Sequence, residues 1–105
     1  MPYLYIMKAV IFDIETTGLP MKRDASVLES KYWPYIVQIS WLVFDMEKNR
    51  VEKVCDYIIK LPQKIFIPPS ATRIHGIDRK ISNEKGIDIQ KALQYFANDV
   101  TRSNF

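Results

Sequence analysis

The sequence predicts an α/β fold, a mixed β-sheet with flanking helices, from three patterns. Residues 9–12 form a run that is apolar on both faces, which favours a strand covered on both sides. Alternating apolar and polar residues over 36–45, and again over 51–59, predict two further strands. Apolar residues three and four positions apart between 88 and 100 predict an amphipathic helix. A chain of 105 residues has room for one domain at most.

The first strand leads directly into a pair of carboxylates. Residues 10–19 read Val-Ile-Phe-Asp-Ile-Glu-Thr-Thr-Gly-Leu, and the chain is expected to turn at Gly18. Because side chains alternate along a strand, Asp13 and Glu15 are predicted to share one face, about 7 Å apart. Solvation at a strand end or a retained proton would relieve their repulsion. A hard divalent cation, which takes oxygen ligands, would relieve it too.

The second and third strands are predicted to form an antiparallel hairpin around a polar turn, residues 46–50, in which Asn49 tolerates a left-handed backbone. Alternation over the second strand places four side chains on an apolar face: Val37, Ile39, Trp41 and Val43. The opposite face carries Gln38 and Ser40. Alternation over the third strand places four more side chains on one face: Val51, Cys55, Tyr57 and Ile59.

Helices are predicted after the third strand. Ser70 is expected to cap a short helix through Ile74 that ends at Gly76. Asp78 or Ser82 can begin another turn. The helix that begins at Asp88 is expected to pack on the sheet through Ile89, Ala92, Leu93, Phe96, Ala97 and Val100. Asp99 lies off that stripe and is predicted to be exposed.

Composition is typical of a globular chain of the reducing cytoplasm. Hydrophobic residues make up 48% and charged residues 26%, which argues against disorder. The net charge of +3 tolerates a polyanionic partner without requiring one. Cys55 is the single cysteine, so no internal disulfide can form. The apolar start, residues 1–7, lacks the basic segment of a signal peptide, and no apolar run approaches the ~18 residues of a membrane span, so no membrane partner is expected.

Two segments resemble the DEDD family of 3′→5′ exonucleases. That family includes the proofreading epsilon subunit of bacterial DNA polymerase III and ribonuclease T. Residues 12–20, Phe-Asp-Ile-Glu-Thr-Thr-Gly-Leu-Pro, are similar to its first motif through Asp13, Glu15, Thr16, Gly18 and Leu19. Residues 74–77, Ile-His-Gly-Ile, follow shortly after Ala71 and resemble the segment that these enzymes carry after their third strand.

The resemblance implies a ribonuclease H-like fold in which residues 1–105 are the N-terminal part of a single exonuclease domain. It implies hydrolysis at the 3′ end of single-stranded DNA or RNA by two Mg²⁺ or Mn²⁺ ions about 3.5–4 Å apart. Asp13 and Glu15 would be the catalytic, metal-binding residues. The implied substrate contacts are Thr16, Thr17, Gly18, Leu19, His75, Gly76 and Ile77. Proofreading would make a DNA polymerase a partner. His75 suits a helix-capping role equally well.

The resemblance also implies what this stretch lacks. The third and fourth carboxylates and the general base of the family would follow the helix at 88–100. That base is a His with an Asp five positions later, whereas Lys80 lies five positions after His75. The 105 residues alone are therefore expected to be inactive. They are also expected to be poorly stable or to self-associate through the first strand.

Two alternatives stay open. The chain could be a non-catalytic nucleic-acid-binding or structural module built on a degenerate exonuclease fold. Phosphatases of the haloacid dehalogenase type open with a strand and Asp-x-Asp-x-Thr. Asp13, Glu15 and Thr17 match that spacing, although Glu15 stands where those enzymes carry Asp.

Overall fold

The computed structural model describes residues 7–18 and 34–102. The strands come first in the chain and the helices follow, so the predicted α/β class is confirmed. Among the described helices, none is long and apolar enough to cross a membrane. Leu19 and most of the predicted loop, residues 19–33, lie outside the described residues. The elements are β1 (Lys8–Thr16), β2 (Ile36–Asp45), β3 (Arg50–Ile58), α1 (Pro69–His75), α2 (Arg79–Lys85) and α3 (Ile89–Arg102).

The sheet has the strand order β1-β2-β3, and both strand pairs are antiparallel. Within the described residues, the only parallel pairing is a bridge between Ile59 and Ile87, so the mixed sheet expected from the sequence is not seen there. β1 lies at the edge of this sheet, and 58% of the Ile11 side chain is exposed. The double cover that its apolar run predicts is therefore absent from the described part of the chain.

β2 separates the two faces of the sheet as predicted. Its helix-facing side chains form the centre of the core, which consists mainly of Val37, Ile39, Trp41 and Val43. Gln38 and Ser40 point to the opposite face, which no described helix covers and which we call the open face. The turn after β2 contains Asn49 with φ 54°, confirming its left-handed conformation.

A β-bulge in β3 corrects one prediction. Val43 pairs with Lys53, but Phe44 pairs with Val51, so Glu52 is an extra residue on this strand. Alternation fails across a bulge, and Val51 lies half exposed on the face opposite to Cys55 and Tyr57. The bulge turns Glu52 toward Lys8, and their charged groups lie 2.8 Å apart.

The short helices begin and end with recognisable residues. Pro68 is the N-cap of α1 and Pro69 its first helical residue, so the predicted Ser70 cap is wrong. A proline suits this position because its fixed φ is helical and its missing N–H would have no helical partner. Gly76 ends α1 with φ 76°, as predicted. Asp78 caps α2 by accepting a hydrogen bond from the Ile81 N–H at 2.8 Å.

Helix α3 packs on the sheet through most of the predicted stripe, namely Ile89, Ala92, Phe96 and Val100, but the packed face is rotated away from Leu93 and Ala97 and includes Asp99. Phe96 contacts Trp41, with ring centroids 5.3 Å apart, and Ala92 is fully buried. Leu93 is 42% exposed, whereas Asp99, predicted to be exposed, is only 5% exposed. Asp99 follows Ala92 and Phe96 at helical spacing, so the helix itself turns it toward the sheet.

Candidate active site

The two sequence motifs meet at one pocket of about 370 Å³. One side is the end of β1 and the turn after it: Ile14, Glu15, Thr16, Thr17 and Gly18. The other side is α1, through Ser70, Ala71, Ile74 and His75. Five of the predicted site residues are thus brought together although they come from distant parts of the chain: Glu15, Thr16, Thr17, Gly18 and His75.

The hydroxyls of the first motif fix the turn at the end of β1. Thr16 Oγ1 donates to the Gly18 carbonyl at 2.8 Å. Thr17 N–H donates to the Tyr35 carbonyl at 2.9 Å, and Thr17 Oγ1 accepts from the Tyr35 N–H at 3.1 Å. Gly18 has φ 153°, a conformation that side chains disfavour. Two threonines and a glycine therefore bend the chain immediately after Glu15.

The guanidinium group of Arg79 fixes the connection between β3 and α1, which leads up to the pocket. Arg79 donates to the carbonyl of Leu61 at 3.1 Å, to that of Pro62 at 3.1 Å, and to that of Ile65. Deeper in the core, Ser82 Oγ donates to the Ile59 carbonyl at 2.8 Å and accepts from the Leu61 N–H at 3.0 Å. These bonds hold a proline-rich connection that has no regular ladder of its own.

Asp13 and Glu15 lie on the open face, as their spacing predicts. Asp13 is the register partner of Ser40, and Glu15 is that of Gln38. Asp13 is exposed and lines a second, shallow pocket of about 320 Å³ on the sheet, which also includes Ser40 and Asp56. The two carboxylates therefore share a face, but only Glu15 lines the pocket with His75.

The carboxylate pair fits a hard divalent cation as part of its ligand shell. Carboxylate oxygens are the ligands that Mg²⁺ and Mn²⁺ prefer. Neither Asp13 nor Glu15 accepts a side-chain hydrogen bond from the described residues, so no described side chain occupies their oxygens. Within residues 7–18 and 34–102, no group of three or more His, Cys, Asp or Glu side chains is arranged to hold a metal ion.

The two ring nitrogens of His75 differ: Nδ1 is hydrogen-bonded to the backbone, and Nε2 has no partner among the described residues. Nδ1 accepts a hydrogen bond from the Ile77 N–H at 3.0 Å, which gives His75 the backbone-bonding role that the sequence left open. The neutral ring therefore carries its proton on Nε2. That atom is buried and has no hydrogen-bond partner among the described residues. His75 thus caps the backbone after α1 through Nδ1.

The other two residues of the second motif lie behind the pocket. Gly76 is the left-handed C-cap of α1, and Ile77 is 3% exposed in the core. Neither lines the pocket, so they shape the site instead of forming its surface.

Sequence reasoning missed several neighbours of the site. Ser70 and Ile74 line the pocket, and Ile74 is 81% exposed. Ile74 belongs to the Ile-His-Gly-Ile segment and Ser70 lies on the same short helix, so closeness to the second motif was a usable signal for both. Asp56 on the open face could be placed only once the hairpin register was known.

Comparison with known proteins finds likeness in structure alone. No family model matches the chain, and no curated protein matches it in sequence. A moderately thermophilic Exonuclease I from Methylocaldum szegediense matches 89% of this chain and 18% of its own, with TM-score 0.68 and 18% identity. A full-length 3′-exonuclease matches 97% of this chain and 31% of its own, with TM-score 0.69 and 11% identity. Cell-death related nuclease 4 (CRN-4) matches 95% of this chain and 32% of its own, with TM-score 0.66 and 12% identity.

These neighbours define the class of fold. The chain has an exonuclease-type α/β fold, matching the N-terminal part of such domains. It spans between 18% and 32% of the length of these three proteins. Identities of 11–18% show the fold alone.

Proposed function

We propose that this chain is the N-terminal part of a single, metal-dependent 3′→5′ exonuclease domain of the DEDD kind, acting on the 3′ end of single-stranded DNA or RNA. The observation that carries the proposal is the shared pocket, which is lined both by Glu15 of the first motif and by His75 of the second. Two short motifs that resemble one family, and that meet in space on an exonuclease-type fold, support one another.

In this proposal each side chain has a role that its position allows. Asp13 and Glu15 hold the Mg²⁺ or Mn²⁺ ions through oxygens that no described side chain occupies. Such ions, when bound, stabilise the charge that develops on a phosphodiester. His75 lines the pocket for the terminal nucleotide, and the exposed Ile74 side chain gives its base an apolar contact. The turn at Gly18 leaves backbone, without a side chain, beside that nucleotide.

The proposal extends to partners and location. Because the first motif resembles that of a proofreading subunit, a DNA polymerase is the proposed protein partner. The unpaired Cys55 supports a place in the reducing cytoplasm.

A non-catalytic nucleic-acid-binding module is the second candidate. One observation favours it: the described residues hold only two site carboxylates and no third ligand to complete a metal centre. The phosphatase alternative has no comparable support, because the matched structures are exonucleases.

Recognition of a 3′ end tests the proposal. Fluorescence anisotropy would compare a labelled linear oligothymidylate with a circular one of equal length, with and without Mn²⁺. We expect tighter, Mn²⁺-dependent binding of the linear strand, lost in His75→Ala and kept in the matched surface variant Lys85→Ala. Equal binding of both strands without Mn²⁺ would favour the non-catalytic module and contradict the exonuclease proposal.

A further inference from the structure

A polar row crosses the open face of the sheet beside the candidate cation site. Asp13 on β1, Ser40 on β2 and Asp56 on β3 are successive register partners. Asp56 Oδ1 accepts a hydrogen bond from Ser40 Oγ at 2.8 Å and another from Gln38 Nε2 at 2.8 Å. Adjacent strands lie about 4.8 Å apart, so Asp56 is about 10 Å from Asp13 along this row.

The hydrogen bonds to Asp56 fix the orientation of two donor side chains of β2, Ser40 and Gln38. A serine hydroxyl has one proton, and because Ser40 gives it to Asp56, it has none for Asp13. Gln38 is the partner of Glu15 in the register, yet its amide reaches diagonally to Asp56 on β3. Both polar side chains of β2 that adjoin the carboxylate pair are therefore held toward the far strand.

We propose that Asp56 is a positioning residue of the candidate cation site. It draws Ser40 and Gln38 toward β3, so that the oxygens of Asp13 and Glu15 stay open to a cation. Without Asp56, the hydroxyl and the amide can turn to β1 and compete with the cation for those oxygens. This inference rests on the proposed function, since it gives Asp13 and Glu15 a cation to bind.

Asp56 acts through its neighbours and not as a ligand or through its charge. It lies two strand spacings from Asp13, and no three-carboxylate metal group includes it within the described ranges. At physiological ionic strength the Debye length is about 8 Å, so at about 10 Å its charge is largely screened on this solvent-exposed face. The hydrogen bonds remain as its route to the site.

Mn²⁺ titration calorimetry on the 105-residue chain at physiological salt tests the inference with three variants. Asp56→Ala is expected to weaken Mn²⁺ binding about tenfold, as loss of an outer-shell partner does at other metal sites. Asp56→Asn keeps an acceptor oxygen without the charge and is expected to stay within about twofold of wild type. The double variant Asp56→Ala with Ser40→Ala removes the competing hydroxyl, although not the Gln38 amide, and is expected to recover part of the affinity.

The double variant separates positioning from simple support of the fold. If Asp56 only stabilised β3, removing a second polar group would leave the affinity low or lower it further. Asp56→Asn, the more conservative change, keeps the test valid if Asp56→Ala unfolds. Equal weakening in Asp56→Asn and Asp56→Ala, or no recovery in the double variant, would overturn the inference.

Two further variants make the possible failures distinguishable. Glu47→Ala removes one negative charge in the exposed turn after β2, at the other end of the strand, and is expected to bind Mn²⁺ as wild type does. If Asp13→Ala binds as well as wild type, the cation site of the proposed function and this inference both fall. If Asp13→Ala loses binding while Asp56→Ala keeps it, the inference alone falls.

Discussion

Asp99 on the helix face of the sheet and the pair Asp13 and Glu15 on the open face differ in how their carboxylates are paired. On the helix face, Asp99 is buried and accepts hydrogen bonds from Trp41 Nε1 at 2.8 Å and Lys53 Nζ at 2.9 Å. On the open face, Asp13 and Glu15 accept none from the side chains of the described residues. A buried carboxylate must be paired to be tolerated, whereas an exposed pair can keep its oxygens available. The contrast marks Asp99 as a structural group, whereas Asp13 and Glu15 are the pair to which the proposed function assigns a cation.

The pKa of Asp99 reflects this pairing. Burial pushes its pKa up, but the hydrogen bonds from Trp41 and Lys53 outweigh burial, and its pKa lies below the ordinary value. The same bond raises the pKa of Lys53. Burial raises the pKa of the adjacent Cys55 thiol, which keeps it protonated and unreactive. Among the described residues of the helix face, the Asp99 carboxylate is thus held in an ion pair with Lys53, and the neighbouring Cys55 thiol stays protonated.

The largest expected effect concerns catalysis at the open face. The 105-residue chain is expected to degrade a 3′-labelled single strand no faster than a metal-free control does. Under the proposed function, the general base lies outside these residues, and the loss of a general base alone typically lowers a rate by about 10²–10⁴-fold. Gel analysis with Mg²⁺ or Mn²⁺ would measure this. Degradation that Glu15→Ala abolishes would show that the open face is catalytically complete.

Next in size is the stability difference between the two kinds of carboxylate. Asp99→Ala leaves the buried Trp41 N–H without its acceptor and should lower the free energy of unfolding by about 2–3 kcal/mol. Asp13→Ala, the matched control on the open face, should change it by less than about 0.5 kcal/mol. Urea denaturation measures both. Equal effects of the two substitutions would remove the distinction between the faces.

Acid should reduce the contribution that Asp99 makes to the free energy of unfolding. Because the pKa of Asp99 is lower in the folded chain than its ordinary value of 3.8, its charge contributes stability above about pH 4. That contribution is lost as the pH falls through the folded pKa. The difference in unfolding free energy between wild type and Asp99→Asn should therefore shrink from pH 6 to pH 3. A constant difference over that range would mean that the carboxylate charge of Asp99 does not stabilise the fold.

What the sequence could predict follows from how local each interaction is. Alternation alone placed Val37, Ile39, Trp41 and Val43 in the core, because a strand with one buried face has a fixed period. The bulge at Glu52 interrupts that period in β3, so the predicted face of Val51 was wrong. A register shift depends on the partner strand and therefore cannot be predicted from alternation within one strand.

The candidate site was predictable where a short motif contains it and not where partners are distant. Glu15 and His75 line one pocket, as the two motifs imply, although their roles stay a proposal. The helical spacing of Asp99 from Ala92 and Phe96 could have placed it toward the sheet, but its pairing with Trp41 and Lys53, far away in the chain, could not be predicted. The bonds of Asp56 to Ser40 and Gln38 likewise require the hairpin register.

The smallest expected effect concerns the exposed edge next to the carboxylate pair. Ile11, Leu42 and Val54 form an apolar row on the open face, with Val54 70% exposed. β1 also presents unpaired backbone groups at the edge of the described sheet, which favours pairing with another chain. We therefore expect the chain to self-associate in sedimentation velocity runs at rising concentration. Ile11→Lys should weaken that association by about two- to fivefold, the contribution of one cross-strand pair.

A matched variant tests whether the edge itself is responsible. Met46→Lys introduces the same charge at an exposed apolar residue in the turn after β2, outside the apolar row of Ile11, Leu42 and Val54, and should leave the association unchanged. If both variants weaken it equally, net charge and not edge pairing controls the self-association. If wild type stays monomeric at every concentration, β1 is protected in solution. The open face would then be available to the cation and the nucleic-acid strand without competition from a second copy.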